Sequence, residues 1–112
     1  METASRRRSE RILLQVRVIV EIEMERERPV RLEAFTLVVN AHGGLLEMGL
    51  RVTTGQRLVL DNPSAGRREA CKVVGVRKSR DGQLAVAFEF VNPAPQFWPI
   101  AFPPVDWHLV KS

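Results

Sequence analysis

From Leu14 to Met24 the chain alternates between apolar and polar positions. Leu14, Val16, Val18, Val20, Ile22 and Met24 share one parity, while Gln15, Arg17, Glu21 and Glu23 share the other, with Ile19 as the exception. A period of two, sustained with β-branched side chains, predicts a long strand with one buried face. Glu25, Arg26, Glu27, Arg28 and Pro29 end it in a solvated turn. A second extended run, Leu32 to Val39, is apolar on both parities near its end, which predicts a strand whose last residues are covered on both faces. Asn40-Ala41-His42-Gly43-Gly44 follows, a turn of residues that tolerate positive φ.

Leu45 to Met48 reads as a short strand, and Gly55 to Asn62 contains another with Leu58 and Leu60 on one face. Asn62-Pro63-Ser64-Ala65-Gly66 reads as a loop. Strands are then expected from about Glu69 to Lys78 and from Leu84 to Val91, joined through Asp81-Gly82, a hairpin signal. In the last of them Leu84, Val86, Phe88 and Phe90 line one face. No stretch has a convincing helical period. About six short antiparallel strands predict an all-β fold, a small closed barrel in which closure removes exposed edges.

The segment from Asn92 to Trp107 holds five prolines, two Trp and two Phe. It is too rich in proline for a long helix and too aromatic for a free linker. It is expected to pack across the barrel, with Phe97, Trp98 and Trp107 plugging one end. The competing account makes Phe97-Trp98-Pro99 and Pro103-Pro104 an exposed docking patch.

Composition narrows the classes. The 112 residues are 45% hydrophobic and 27% charged, which fits one ordered domain. The expected division is an arm over residues 1–11, a barrel over 12–91 and a packed tail over 92–112. A lone cysteine, Cys71, forms no internal disulfide, and with only His42 and His108 beside it no thiol-based zinc site is expected, so the metal and cofactor expectation is none. Cys71 sits mid-strand and reads as a small buried hydrophobe. No nucleophile elbow, paired carboxylates near a His, or Walker loop is present, so no catalytic residue is assigned and an enzyme is disfavoured. Gln15 and Arg17 interrupt the apolar stretch too early for a secretory signal, and no window approaches a membrane span, so a cytoplasmic protein is expected.

Seventeen Lys and Arg against 13 Asp and Glu give a net charge of +4, and 14 of the 17 are Arg. Guanidinium suits bidentate contacts to phosphate and to guanine edges. Eight of these cations lie between residues 51 and 80 (Arg51, Arg57, Arg67, Arg68, Lys72, Arg77, Lys78, Arg80) against Asp61 and Glu69. A nucleic-acid-binding barrel is the least favoured class, because the aromatic residues do not interleave with the basic ones. A solvated basic edge that discourages strand pairing is the plainer account.

The arginines Arg6, Arg7, Arg8 and Arg11 stand just before the first strand. Arg6-Arg7-Arg8-Ser9-Glu10-Arg11 fits the pattern RRxxxR in full, and Asn40-Ala41-His42-Gly43-Gly44-Leu45 fits D/N-x-S-x-x-G in part. With the strand order, Gly55 and the closing Ala87-Phe88-Glu89-Phe90 run, residues 6 to 91 resemble a PilZ domain. That is a bacterial six-stranded antiparallel barrel whose members often bind cyclic di-GMP. His42 stands where the family has serine, Leu45 stands where it has the final glycine, and the segment is one residue short, with Gly44 in the glycine's structural place.

The resemblance implies a second-messenger receptor. Arg6, Arg7, Arg11, Asn40, His42, Gly43 and Gly44 would bind cyclic di-GMP as a regulatory ligand, altering how an unidentified protein effector docks. The arginines would clamp phosphates or guanine edges, Asn40 would bond a guanine edge, and the glycines would let the backbone approach the ligand. The alternative it implies is a PilZ-like adaptor without ligand, working by protein–protein interaction.

Overall fold

A computed structural model of the chain describes residues 11–24 and 26–99. Among the described residues seven strands run in order: β1 (Ile12–Leu13), β2 (Arg17–Ile22), β3 (Val30–Asn40), β4 (Gly43–Met48), β5 (Arg57–Asn62), β6 (Arg67–Lys78) and β7 (Leu84–Phe90). One 3-10 turn, Pro95–Phe97, follows them, and no α-helix occurs among the described residues. Six strands close an antiparallel ring in the order β3-β2-β5-β6-β7-β4, with β4 pairing back onto β3, and β1 pairs with β3 outside it. The fold is the all-β, six-stranded barrel that the pattern predicts, with one extra short strand.

The inward parity is the predicted one. Val18, Val20 and Ile22 from β2, Leu58 and Leu60 from β5, and Val86, Phe88 and Phe90 from β7 are buried and form one core with Leu46, Met48, Cys71 and Val73. Each fully buried aliphatic chain contributes roughly 1.5–3 kcal/mol, and this shared interior sets the register of every strand. The Asp81-Gly82 turn also forms as expected, with φ of 52° and 75° at its two central residues, the backbone that Asp-Gly favours.

Two expectations change, and one competing account falls away. The strand expected over residues 14 to 24 forms only as β2, because between the β1 and β2 pairings Leu14, Gln15 and Val16 stand opposite Thr36 and Leu37 alone. Thr36 Oγ1 accepts from the Val16 N–H at 2.8 Å and donates to the Leu14 carbonyl at 2.6 Å. A buried hydroxyl with both capacities filled thus serves the two backbone groups of this stretch that bond no backbone partner among the described residues. Met24 lies beyond β2 and is 39% exposed.

The docking-patch account of the tail gives way to the plug. Phe97 and Trp98 are 1% and 3% exposed and stack with Phe88 and Phe90, at centroid separations from 4.8 Å for Phe97–Trp98 to 6.3 Å for Phe88–Trp98. Asn62, buried at the end of β5, donates from Nδ2 to the Phe97 carbonyl at 2.6 Å. Pro103, Pro104 and Trp107 lie outside the described residues. Finally, the basic β6 is no sheet edge, since β5 and β7 pair with it on its two sides.

Two bulges complete the frame. The β3–β4 register shifts between Thr36 and Val38, and the β6–β7 register shifts between Val73 and Gly75. An extra residue in a strand reverses which parity faces inward. Before the first bulge Ala34 and Thr36 are buried, and after it Val39 is. This reversal, with the exposed-side β1 alongside, is why the end of β3 is apolar on both parities.

Candidate functional site

The first bulge decides where Asn40 points. Were the β3 alternation unbroken, Asn40 would share the inward parity of Ala34 and Thr36; the extra residue at Leu37 turns it outward instead. The second bulge does the same for β6. Cys71 and Val73 face the core before it, and Val76 packs against the core after it. Val74 and Arg77 are therefore both exposed on the outer wall.

These outward positions converge. A groove of about 450 Å³ on the barrel wall is lined by Arg11, Val38, Asn40, His42, Gly43, Gly44, Leu45, Val74, Arg77, Ala87, Phe88 and Glu89. It gathers five of the seven residues expected from the sequence: Arg11, Asn40, His42, Gly43 and Gly44. Arg6 and Arg7 lie outside the described residues. Val74, Arg77 and Glu89 were not anticipated. Val73-Val74-Gly75 carried a usable signal, since a glycine inside a strand marks a bulge, and a bulge there brings Arg77 to the outer wall.

The turn at the centre of the groove is a two-residue connection, Ala41-His42, because Asn40 and Gly43 are already cross-strand partners. Asn40 shapes it from within: its Oδ1 accepts from the His42 N–H at 2.7 Å, the local bond that asparagine makes at turns. Neither Ala41 nor His42 takes positive φ, so the turn does not use that tolerance.

The tail pins the same turn from behind. The Trp98 Nε1–H donates to the Asn40 carbonyl at 2.8 Å, the Phe90 N–H to the His42 carbonyl at 2.8 Å, and the Ala94 N–H to the Ala41 carbonyl at 3.3 Å. The groove's turn is thus held on the aromatic plug, and its geometry depends on residues 90 to 98.

The two glycines are required by close approach within the protein. A Cβ on Gly43 would lie 2.1 Å from the Phe88 carbonyl oxygen, and one on Gly44 would lie 2.5 Å from the Val38 carbonyl oxygen. Both contacts are with backbone, which cannot swing aside. The expectation that the glycines admit a ligand therefore has a second cause beside it, the packing of β4 between β3 and β7.

Charge distinguishes this wall from the rest. Among the described residues no ion pair engages Arg11, Arg77 or Glu89. Across the wall built by β2, β3, β5 and β6, by contrast, Arg31 and Arg68 each bond both Glu21 and Asp61, at 2.8 to 3.1 Å. The Arg68 guanidinium beside Glu21 holds its carboxyl below its ordinary pKa, with Arg31 adding to the effect. The cations of residues 51 to 80 are likewise dispersed: Arg68 is in this quartet, Arg67 bonds Gln96 at 3.0 Å, and Arg80 lies 4.0 Å from Glu47.

Cys71 is fully buried, and burial pushes its thiol up to about 12. Such a thiol stays protonated at neutral pH, in keeping with a core role. Among the described residues no three His, Cys, Asp or Glu side chains group as metal ligands, and no helix is long and apolar enough to cross a membrane. The sequence matches no family model and no curated protein.

Proposed function

We propose that this chain is a PilZ-like receptor that binds cyclic di-GMP in the groove that Arg11 and the 40–45 turn line. One observation carries the reading. Arg11, the last arginine of the RRxxxR run, lines the same groove as Asn40, His42, Gly43 and Gly44, although 28 positions separate it from the turn.

The chemistry is consistent with that ligand. Arg11 and Arg77 offer guanidinium groups with no internal carboxylate partner among the described residues, suited to a phosphate or to guanine O6 and N7. Asn40 uses its oxygen in the turn, so its Nδ2 is the atom that meets a ligand acceptor. Val74, 46% exposed, presents an apolar surface on which a purine face can rest. Arg6 and Arg7 would complete the clamp from the arm, and the altered arm would change the surface offered to a protein effector. The reading makes the chain a bacterial signalling protein with no catalytic step.

Calorimetric titration with cyclic di-GMP, with GTP and cyclic di-AMP as controls, tests it. Saturable binding at micromolar concentration or tighter, lost in Arg7→Ala and weakened in Arg11→Ala, is the expected result. Absence of heat and of any thermal shift would overturn it.

A second reading, a PilZ-like adaptor without ligand, draws on the glycines. Gly43 and Gly44 are needed by the Phe88 and Val38 carbonyls, so their presence in the motif calls for no nucleotide. The same titration separates the two readings.

A further inference from the structure

Resting on the cyclic di-GMP reading, we infer that Glu89 selects the base: its carboxylate accepts from the N1–H and N2–H₂ edge of guanine, making the groove a guanine reader as well as a phosphate clamp.

The groove holds a charge that an anion site should not. A groove that recognised only phosphates would gain from Arg11 and Arg77 and lose from a carboxylate among them, since like charges repel across a shared site. Glu89 nevertheless lines this groove. Lys72 is its direct cross-strand partner on β6, yet no ion pair joins them, and none engages Glu89 among the described residues. A carboxylate without an internal partner is suited to a ligand that presents donors.

Register gives the position. Gly43 pairs with Asn40 on one side and with Glu89 on the other. Paired residues share a face, so Asn40 and Glu89 stand in one row, two strand spacings apart, or roughly 10 Å. Gly43 puts no side chain between them. The row therefore carries a donor, Asn40 Nδ2, at one end and a two-oxygen acceptor at the other.

Guanine answers both ends: O6 and N7 accept, while N1–H and N2–H₂ donate. Adenine offers an acceptor at N1 where guanine has a donor, so the carboxylate would face a lone pair. Glu89 is also held firmly, since Phe88 and Phe90 on either side of it are buried in the core.

The test is titration of wild type, Glu89→Gln and Lys72→Ala with cyclic di-GMP and cyclic di-AMP, with a thermal melt of each protein. Wild type should prefer the guanine dinucleotide. Glu89→Gln, which turns one acceptor into a donor, should lose about tenfold or more in cyclic di-GMP affinity and most of the preference, at an unchanged melting temperature. Lys72→Ala should keep both affinity and preference.

Wild type that binds both dinucleotides equally, or a Glu89→Gln protein that retains full affinity and preference, overturns the role of Glu89 and leaves the receptor reading standing. Wild type that binds neither dinucleotide overturns the receptor reading, and the base selection falls with it.

Discussion

Two walls of the same barrel carry arginine, and they treat it in opposite ways. On the wall of β2, β3, β5 and β6, Arg31 and Arg68 are each matched to Glu21 and Asp61 in a closed quartet. On the wall of β3, β4, β7 and β6, Arg11 and Arg77 share a groove with Glu89, and no ion pair joins any of them among the described residues. Charges that satisfy one another have little left for a ligand. Charges left outside ion pairs keep their donors and acceptors available. Composition cannot tell the two kinds of arginine apart; strand pairing can.

The comparison breaks most completely if the groove wall cannot form. In Gly43→Ala the new methyl would meet the Phe88 carbonyl oxygen at 2.1 Å, forcing β4 and β7 apart. The expected loss is about 3 kcal/mol of stability, at the upper end of overpacking costs, read by denaturant unfolding. Gly66, in the loop that joins β5 to β6 beside the matched wall, has open space where its Cβ would be. Gly66→Ala would be strained only by its φ of 65° and is expected to cost less.

The next effect is on binding alone. Arg77→Ala and Arg11→Ala should each weaken cyclic di-GMP at least about tenfold, the worth of one charge-assisted pair. Their melting temperatures should stay near wild type, because exposed side chains without partners contribute little to stability. Arg68→Ala should do the reverse in kind, leaving affinity intact while disturbing the quartet. If Arg68→Ala weakens binding as much as Arg77→Ala, the distinction between the walls fails.

Trp98→Phe asks how far the groove depends on the plug. The substitution removes the Nε1–H that the Asn40 carbonyl accepts and shrinks a ring that packs on Phe88, Phe90 and Phe97. A loss of about 1–2 kcal/mol is expected by thermal unfolding. Amide shifts in an NMR spectrum should reach residues 40 to 44 and leave Glu21 and Arg31 unmoved.

These contrasts also mark how much the sequence made legible. The barrel was readable because each strand carries its own period, and Leu58, Leu60, Val86 and Phe88 face inward as their alternation predicts. Asn40, His42, Gly43 and Gly44 were readable as a group because they are contiguous. Arg77 and Glu89 were not, because they reach the groove only through barrel closure, the pairing of β4 with β7 across 35 intervening positions, and through a bulge that reverses the parity of β6. Thr36 hid for a related reason. A threonine in a strand looks like any β-former until the Leu14 carbonyl and the Val16 N–H, which bond no backbone group among the described residues, need its hydroxyl.

The smallest effect lies in the matched wall and sharpens the comparison from its other side. Arg68 and Arg31 hold the Glu21 carboxyl below its ordinary value. A carboxyl depressed in the folded state contributes stability above its unfolded pKa, and that contribution is lost as pH falls through the folded one. The window therefore lies on the acid side of the ordinary glutamate range. In an NMR titration the Glu21 midpoint should fall below that range in wild type and rise toward it in Arg68→Ala, with added salt moving wild type the same way as ions screen the exposed quartet. Cyclic di-GMP should leave the Glu21 midpoint where it was. A ligand-induced shift would mean that the nucleotide reaches the quartet, and the two arginine walls would then be one binding surface.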